Sequence, residues 1–307
     1  MIPKPRVGLV FTGMCLIWGS TFVVLKMGLE GTPPLLGVAL RHLTASSILF
    51  LIVFWRKLPI PTDRLAIKQY LTVGLLNFSL SYSLTYSGTQ YIYSNISSLL
   101  WASIPITTAT VAHFVLPGER LTFRKGLGIL VGFSGVILIF RGYGFGESPN
   151  LLFGMALVMG AVLAGTWPGV YLKRRPARAN PFVLNAVSTG IGGLTTLTFS
   201  FALEKPSEMI LSTLNIGIIL YLAVFGTVLA WVAYFYLLER IEVVKLSFVG
   251  FIAPIIAMFM GMIVLGELLT PMVYAGALLV LLGIFLTDYR RYLRIILRRK
   301  EFPGKFP

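Results

Sequence analysis

Three ionisable side chains stand where charge is costly. Lys26, Arg41 and His42 lie inside long apolar runs rather than in the loops between them. A charge at the centre of a membrane helix costs about 2.5–3.5 kcal/mol on insertion scales, so such a residue has either a structural partner or a ligand. Lys26 is near the end of the first run, where its amine can snorkel to headgroups. Glu30 follows four residues on, within pairing reach on a helix. Arg41 is eight residues into the second run, with His42 beside it. Its plainer reading is a guanidinium bonded to backbone carbonyls. The functional reading is the cationic end of a cavity that meets a carboxylate or a phosphate. His42 reads either as a hydrogen-bonded packing histidine or as a proton carrier. His113, near the end of its own run, reads as interfacial.

The acids are informative by position. Asp63, Glu119, Glu147, Glu204, Glu208, Glu239, Glu242, Glu267, Asp288 and Glu301 all fall at loops or run ends, and Glu30 closes the first run. No carboxylate is left in the apolar layer to neutralise an organic cation and exchange a proton with it, which disfavours a cationic-drug antiporter. There is no GxxxxGK[ST] loop for ATP, no HExxH pair and no GxSxG elbow. A membrane-embedded enzyme, which needs a placed nucleophile, acid–base pair or metal, is therefore unsupported. The single cysteine, Cys15, allows neither a disulfide framework nor a Cys-based metal site. No cofactor or metal is expected.

Aromatic residues supply a second set of candidates. Trp18 and Trp101 sit about ten residues into their runs, away from the interfacial belt that Trp55 fits. Trp167 and Trp231 lie in the inner half of later runs, Tyr234 follows in the run of Trp231, and Tyr82 and Tyr86 share a helix face at i, i+4. Each is individually well explained by packing. As a set they suggest a cavity with flat apolar walls, since the polar tips of Trp and Tyr want partners. Pro105 and Pro254 fall mid-run, as static kinks or as hinges. Asn77-Phe78-Ser79 and Asn95-Ile96-Ser97 match the glycosylation pattern, but both lie within runs and are discounted.

The elements that must position these residues are membrane helices. Of 307 residues, 56% are hydrophobic and 12% charged, with a mean hydropathy of +0.85; soluble domains carry about 25% charged residues. Apolar runs long enough to cross about 30 Å of hydrocarbon recur throughout. The predicted spans are 7–29, 33–55, 67–88, 91–116, 123–141, 150–172, 180–203, 213–238, 244–265 and 271–290, separated by Pro/Gly turns or charge. With the N-terminus inside, 22 of the 26 Lys and Arg fall on inner segments and only Arg141 and Lys205 on outer loops. The positive-inside rule then places both termini in the cytoplasm and requires an even number of helices. The net charge of +15 is topological in this reading and does not point to nucleic acid. The basic segment Arg290–Lys300 is suited to anionic lipid.

The chain also repeats itself. Gly118-Glu119-Arg120-Leu121-Thr122 recurs as Gly266-Glu267-Leu268-Leu269-Thr270, and Gly128 and Gly135 recur as Gly276 and Gly283, all at an offset of 148. Pro105 and Pro254, like Trp18 and Trp167, are 149 apart. Five helices per half force the second half to enter the membrane the other way up. Inverted repeats of this kind mark secondary transporters, with a substrate site at the seam near mid-membrane. Gly128-x-x-x-Gly132 permits close helix contact.

These residues resemble the EamA family of the drug/metabolite transporter superfamily, in its ten-helix members. The resemblance runs from Trp18-Gly19-Ser20-Thr21-Phe22, Lys26, Pro33 and Arg41 through the helix-4 proline. It continues in the segments Leu116–Thr122 and Leu265–Thr270 and in the glycine-spaced helices 5 and 10, over roughly residues 8–288. It implies an all-α basket of ten transmembrane helices: a first repeat at 1–146, an inverted second repeat at 147–290 and a basic cytoplasmic tail at 291–307. It also implies export of metabolites such as amino acids across a bacterial inner membrane. The expected function is a secondary exporter of small zwitterionic or anionic metabolites, acting as a monomer or homodimer, with Trp18, Lys26, Arg41, His42, Tyr82, Tyr86, Trp101, Trp167 and Tyr234 around the substrate. A phosphate-bearing or lipid-linked sugar carrier is the alternative, and it would lean harder on Lys26 and Arg41.

Overall fold

The computed structural model describes residues 4–92, 94–141, 150–256, 271–272 and 274–286. The described residues form helices joined by short turns, with no strand among them. The first two helices are α1 (Lys4–Gly28) and α2 (Pro34–Trp55). Proline opens α2, where its missing N–H is no loss. The Glu204 carboxylate accepts from the next two amides, Leu35 and Leu36, at 2.8 and 3.0 Å. A third rod runs unbroken through α3 (Arg64–Leu71), a π-helical stretch (Thr72–Ser81) and α4 (Tyr82–Tyr91). Then come α5 (Ser94–Trp101), α6 (Ile104–Val115), α7 (Phe123–Arg141), α8 (Leu151–Arg174) and α9 (Pro181–Leu203). Another unbroken rod joins α10 (Thr213–Ala223), a second π-helical stretch (Val224–Leu229) and α11 (Ala230–Leu238). The last are α12 (Val243–Ser247), continued past a turn as far as Ile256, and α13 (Tyr274–Leu286).

Among the described residues, six helices are long and apolar enough to cross a membrane: Arg6–Gly28, Pro34–Trp55, Ile96–Val115, Leu151–Arg174, Pro181–Leu203 and Thr213–Leu238. Their outward faces are apolar. Leu9, Leu51, Leu163, Leu194 and Leu214 are all more than half exposed, while Arg41, His42, Asn77, Asn185 and Thr227 are buried. That distribution suits a lipid solvent and would be costly in water.

Polar groups inside the bundle act mainly on helix ends, where backbone groups lack intrahelical partners. Lys26 Nζ donates to the carbonyls of Thr89 and Ile92, at 2.9 and 3.1 Å, past the end of α4. Lys173 Nζ does the same for Leu238 and Ile241, at 2.7 and 2.6 Å, past the end of α11. A cation there also meets the negative end of the helix dipole. Glu119 accepts from the Val243 and Val244 amides at the start of α12. Close packing of α7 on α13 depends on glycine: a Cβ on Gly135 would fall 2.6 Å from Gly276 O, and one on Gly283 would fall 2.5 Å from Gly128 O.

Within the apolar helix Ile96–Val115, a turn at Ala102-Ser103 separates α5 from α6, and Pro105, in the first turn of α6, lies directly after that break. Pro168 lies inside α8. Pro254 is in the helical segment ending at Ile256. Lys26 forms no salt bridge with Glu30; its amine is taken by carbonyls instead. Glu147, the segment Leu265–Thr270 with Glu267, Asp288 and the basic tail 291–307 lie outside the described residues.

Candidate functional site

A cavity of ≈ 120 Å³ opens among the helices. α1 contributes Trp18, Thr21, Phe22 and Leu25; α2 contributes Arg41; the third rod contributes Asn77, Tyr82 and Thr85. Trp101, Ile104 and Thr108 come from α5 and α6, Gly165 and Thr166 from α8, Trp231 and Tyr234 from α11. Val243, Ser247, Val249, Gly250 and Ala253 complete it. No carboxylate is among the lining residues.

Arg41 is the cavity's charged group, and it is only 2% exposed. Its guanidinium makes four hydrogen bonds, all to neutral groups. Nε donates to Thr227 Oγ1 at 2.8 Å and Nη1 to Tyr86 Oη at 3.1 Å. Nη2 donates to Gly226 O at 2.9 Å and, at 3.5 Å, to Tyr82 Oη. The guanidinium carbon also lies 4.8 Å from the Tyr82 ring centroid, a cation–π arrangement. Gly226 and Thr227 stand in the α10–α11 rod where it is π-wound, at Val224–Leu229. A π-helical stretch shifts the backbone ladder and presents carbonyls to side chains. Gly226 is obligatory there, since a Cβ would fall 2.8 Å from Arg41 Nη2 and 2.9 Å from Thr21 Cγ2. Dipoles stabilise a buried cation but leave its unit charge uncompensated among the described residues.

The walls are aromatic. Trp231 is the hub: its ring centroid lies 5.2 Å from Trp18, 4.9 Å from Tyr234 and 5.0 Å from Phe78, all edge-on. Its indole N–H donates to Tyr82 Oη at 2.8 Å. Trp18 Nε1 reaches Gly226 O at 3.4 Å, and Trp101 Nε1 reaches Thr85 Oγ1 at 3.3 Å. The polar tips of these indoles are thus bonded within the protein.

The structure therefore brings together Trp18, Arg41, Tyr82, Trp101 and Tyr234, with Tyr86 directly behind Arg41. It does not bring Lys26, which is held at the end of α4. It does not bring Trp167, which is 41% exposed and stacks on Tyr171. His42 lies behind the lining, fully buried and edge-on to Phe78 and Tyr82, with centroids at 5.1 and 4.6 Å. The Phe78 backbone is beside the ring, yet neither ring nitrogen has a partner in hydrogen-bonding geometry among the described residues. Sequence reasoning counted Trp231 in the aromatic set without placing it at the substrate, and it passed over Asn77, Gly226 and Thr227 as site residues. For Trp231 a further signal existed: it stands 149 residues after Tyr82, the same offset that relates Trp18 to Trp167.

Comparison with known proteins agrees with this architecture. The chain is similar over 286 residues to the uncharacterized transporter YoaV of Bacillus subtilis (strain 168), at 30% identity, covering 92% of this chain and 97% of that one. It is similar to the uncharacterized inner membrane transporter YedA of Escherichia coli (strain K12), at 24% identity over 290 residues, covering 94% and 92%. A solved crystal structure superposes with a TM-score of 0.78 at 17% identity, covering 94% of this chain and 99% of that chain, a likeness of fold. The profile of the EamA-like transporter family matches residues 7–141 and again 152–288. A multi-pass helical membrane protein with both segments matched, this chain belongs to the EamA-like transporter family.

Proposed function

We propose that the protein is a secondary transporter of small carboxylate-bearing metabolites, amino acids first among them, exporting them across a bacterial inner membrane by alternating access. The observation that carries the substrate class is Arg41: a buried cation whose hydrogen-bond partners among the described residues are all neutral, facing an aromatic-walled cavity with no carboxylate among its described lining residues. An amino acid would place its carboxylate on the guanidinium and its side chain against Trp18, Trp101 and Trp231. A phosphate-bearing or lipid-linked sugar is served less well, because Lys26 is committed to the end of α4 and away from the cavity.

The mechanism takes the chain as two inverted five-helix halves, a reading that several pairs of contacts support. Taken as rods, the described helices group into ten. The carbonyl pair held by Lys26, Thr89 and Ile92, recurs 149 residues later as the pair held by Lys173, Leu238 and Ile241. The Gly135–Gly276 contact recurs as Gly283–Gly128. Tyr82 and Trp231, 149 residues apart, hydrogen-bond to each other, as equivalent residues do beside a two-fold axis. The site is not symmetric in charge, since Gly190 stands at the position equivalent to Arg41.

The test is thermal stabilisation of purified protein by a panel of amino acids and their decarboxylated amines, since a ligand stabilises the state that it binds. Amino acids with apolar or aromatic side chains are expected to raise Tm, and the amines are not. Arg41→Gln is expected to abolish the shift. Equal stabilisation by amines, or a shift retained in Arg41→Gln, would overturn the assignment.

A further inference from the structure

We infer that Asn77 is a second substrate-contacting residue, donating its side-chain amide to the same carboxylate that Arg41 neutralises. The inference rests on the carboxylate reading above and names a subsite within it.

Asn77 is 2% exposed, lines the cavity, and its Nδ2 has no hydrogen-bond partner among the described residues. An unpaired buried amide costs about 1–3 kcal/mol, and polar groups within a membrane span are retained mainly where they do something. The unmet need is for an acceptor. The cavity's charged group, Arg41, is likewise a donor without an anion. Two donor groups facing one apolar cavity are complementary to a ligand rich in acceptors, and a carboxylate has two oxygens to offer them.

The fold aims Asn77 there by local winding. On an α-helix, residues five apart are about 140° apart around the axis, so Asn77 and Tyr82 would face different ways. Here Thr72–Ser81 is π-wound, and the Tyr82 amide donates to the Asn77 carbonyl, a five-residue step that stacks one residue over the other. Both therefore reach the same cavity. Space is kept by Gly165 on the facing helix α8: a Cβ there would fall 2.9 Å from Ser81 Oγ, 3.3 Å from Trp101 Cη2 and 3.5 Å from Asn77 Oδ1. Ser81 Oγ, which donates to Ala161 O at 2.8 Å, does not accept from Asn77 Nδ2.

The experiment measures binding of L-tryptophan, L-phenylalanine and L-leucine, and of the corresponding amines lacking the carboxylate, to purified full-length protein. Asn77→Ala removes the donor and is expected to weaken the amino acids about tenfold, the loss of one hydrogen bond to a charged group. Asn77→Asp keeps the shape and replaces the donor with a negative acceptor. It is expected to weaken the amino acids further and to bring the amines into measurable binding. If Asn77→Asp does not fold, Asn77→Ala carries the test. Amino-acid affinities within twofold of wild type in these variants would overturn the inference; if Arg41→Gln still abolishes binding, the carboxylate reading survives that result. Wild-type protein that binds the amines as well as the amino acids, or binds no amino acid, removes the carboxylate reading and the Asn77 subsite with it.

Discussion

At the scale of single residues, Arg41 was visible in the sequence because a cation eight residues into an apolar run is rare and costly. Its environment was not visible: Thr227 and Gly226, its partners, are 186 and 185 residues away. The tryptophans divide for a related reason. Trp18 and Trp167 occupy equivalent positions, yet Trp18 is packed against Trp231 beside the cavity while Trp167 is 41% exposed. Depth in the membrane is readable from position along a run; which way a side chain faces depends on neighbouring helices. A direct comparison follows. Trp231→Ala deletes edge-on contacts to three rings and the bond to Tyr82, each ring pair contributing about 0.5–1.5 kcal/mol. Its transport of a radiolabelled amino acid in proteoliposomes is expected to fall at least about tenfold. Trp167→Ala is expected to stay within about twofold of wild type, and equal losses in the two variants would contradict the placement of the cavity.

At the scale of elements, the two π-helical stretches matter most to the site. They expose the Gly226 carbonyl to Arg41 and turn Asn77 toward Tyr82. Gly226→Ala puts a methyl 2.8 Å from Arg41 Nη2. It should displace the guanidinium and raise the KM for an amino acid more than it lowers expression, as judged by flux against band intensity; an unchanged KM would argue that the contact is not needed. A second element-scale prediction concerns the connection between α11 and α12. Burial alone would raise the Glu242 carboxyl, but bonds to Lys245 and Lys125, at 2.8 and 2.9 Å, outweigh it and hold it below the ordinary value of 4.5. A carboxylate lowered in the folded state contributes stability above its unfolded value, and the contribution disappears as pH falls through the folded value. Wild type is therefore expected to unfold at a higher temperature than Glu242→Gln at pH 7, with the gap closing below about pH 4.5 and narrowing in high salt because the group is partly exposed. A gap that persists at pH 3 would assign the effect to packing.

At the scale of the whole molecule, orientation is the testable property. The 22-to-2 distribution of Lys and Arg expects both termini in the cytoplasm. In a Cys15→Ser background, cysteines placed at Ile2 and at Lys305 should resist a membrane-impermeant maleimide applied to intact cells, while one at Lys205 should react; labelling of one terminus alone would refute an even number of spans, and labelling of both would reverse the orientation. What the sequence determined by itself was the helical membrane class, the approximate runs, the family resemblance and the oddity of Arg41. Each follows from composition, hydropathy or spacing, which are local properties of the chain. Only the tertiary structure decided the membership of the cavity. The π windings, the break before Pro105, the capture of Lys26 by the end of α4 and the gathering of Asn77, Arg41 and Trp231 all depend on contacts between helices far apart in sequence. The physical reason is that insertion into lipid is settled helix by helix, whereas a site between helices exists only once their buried faces have packed together.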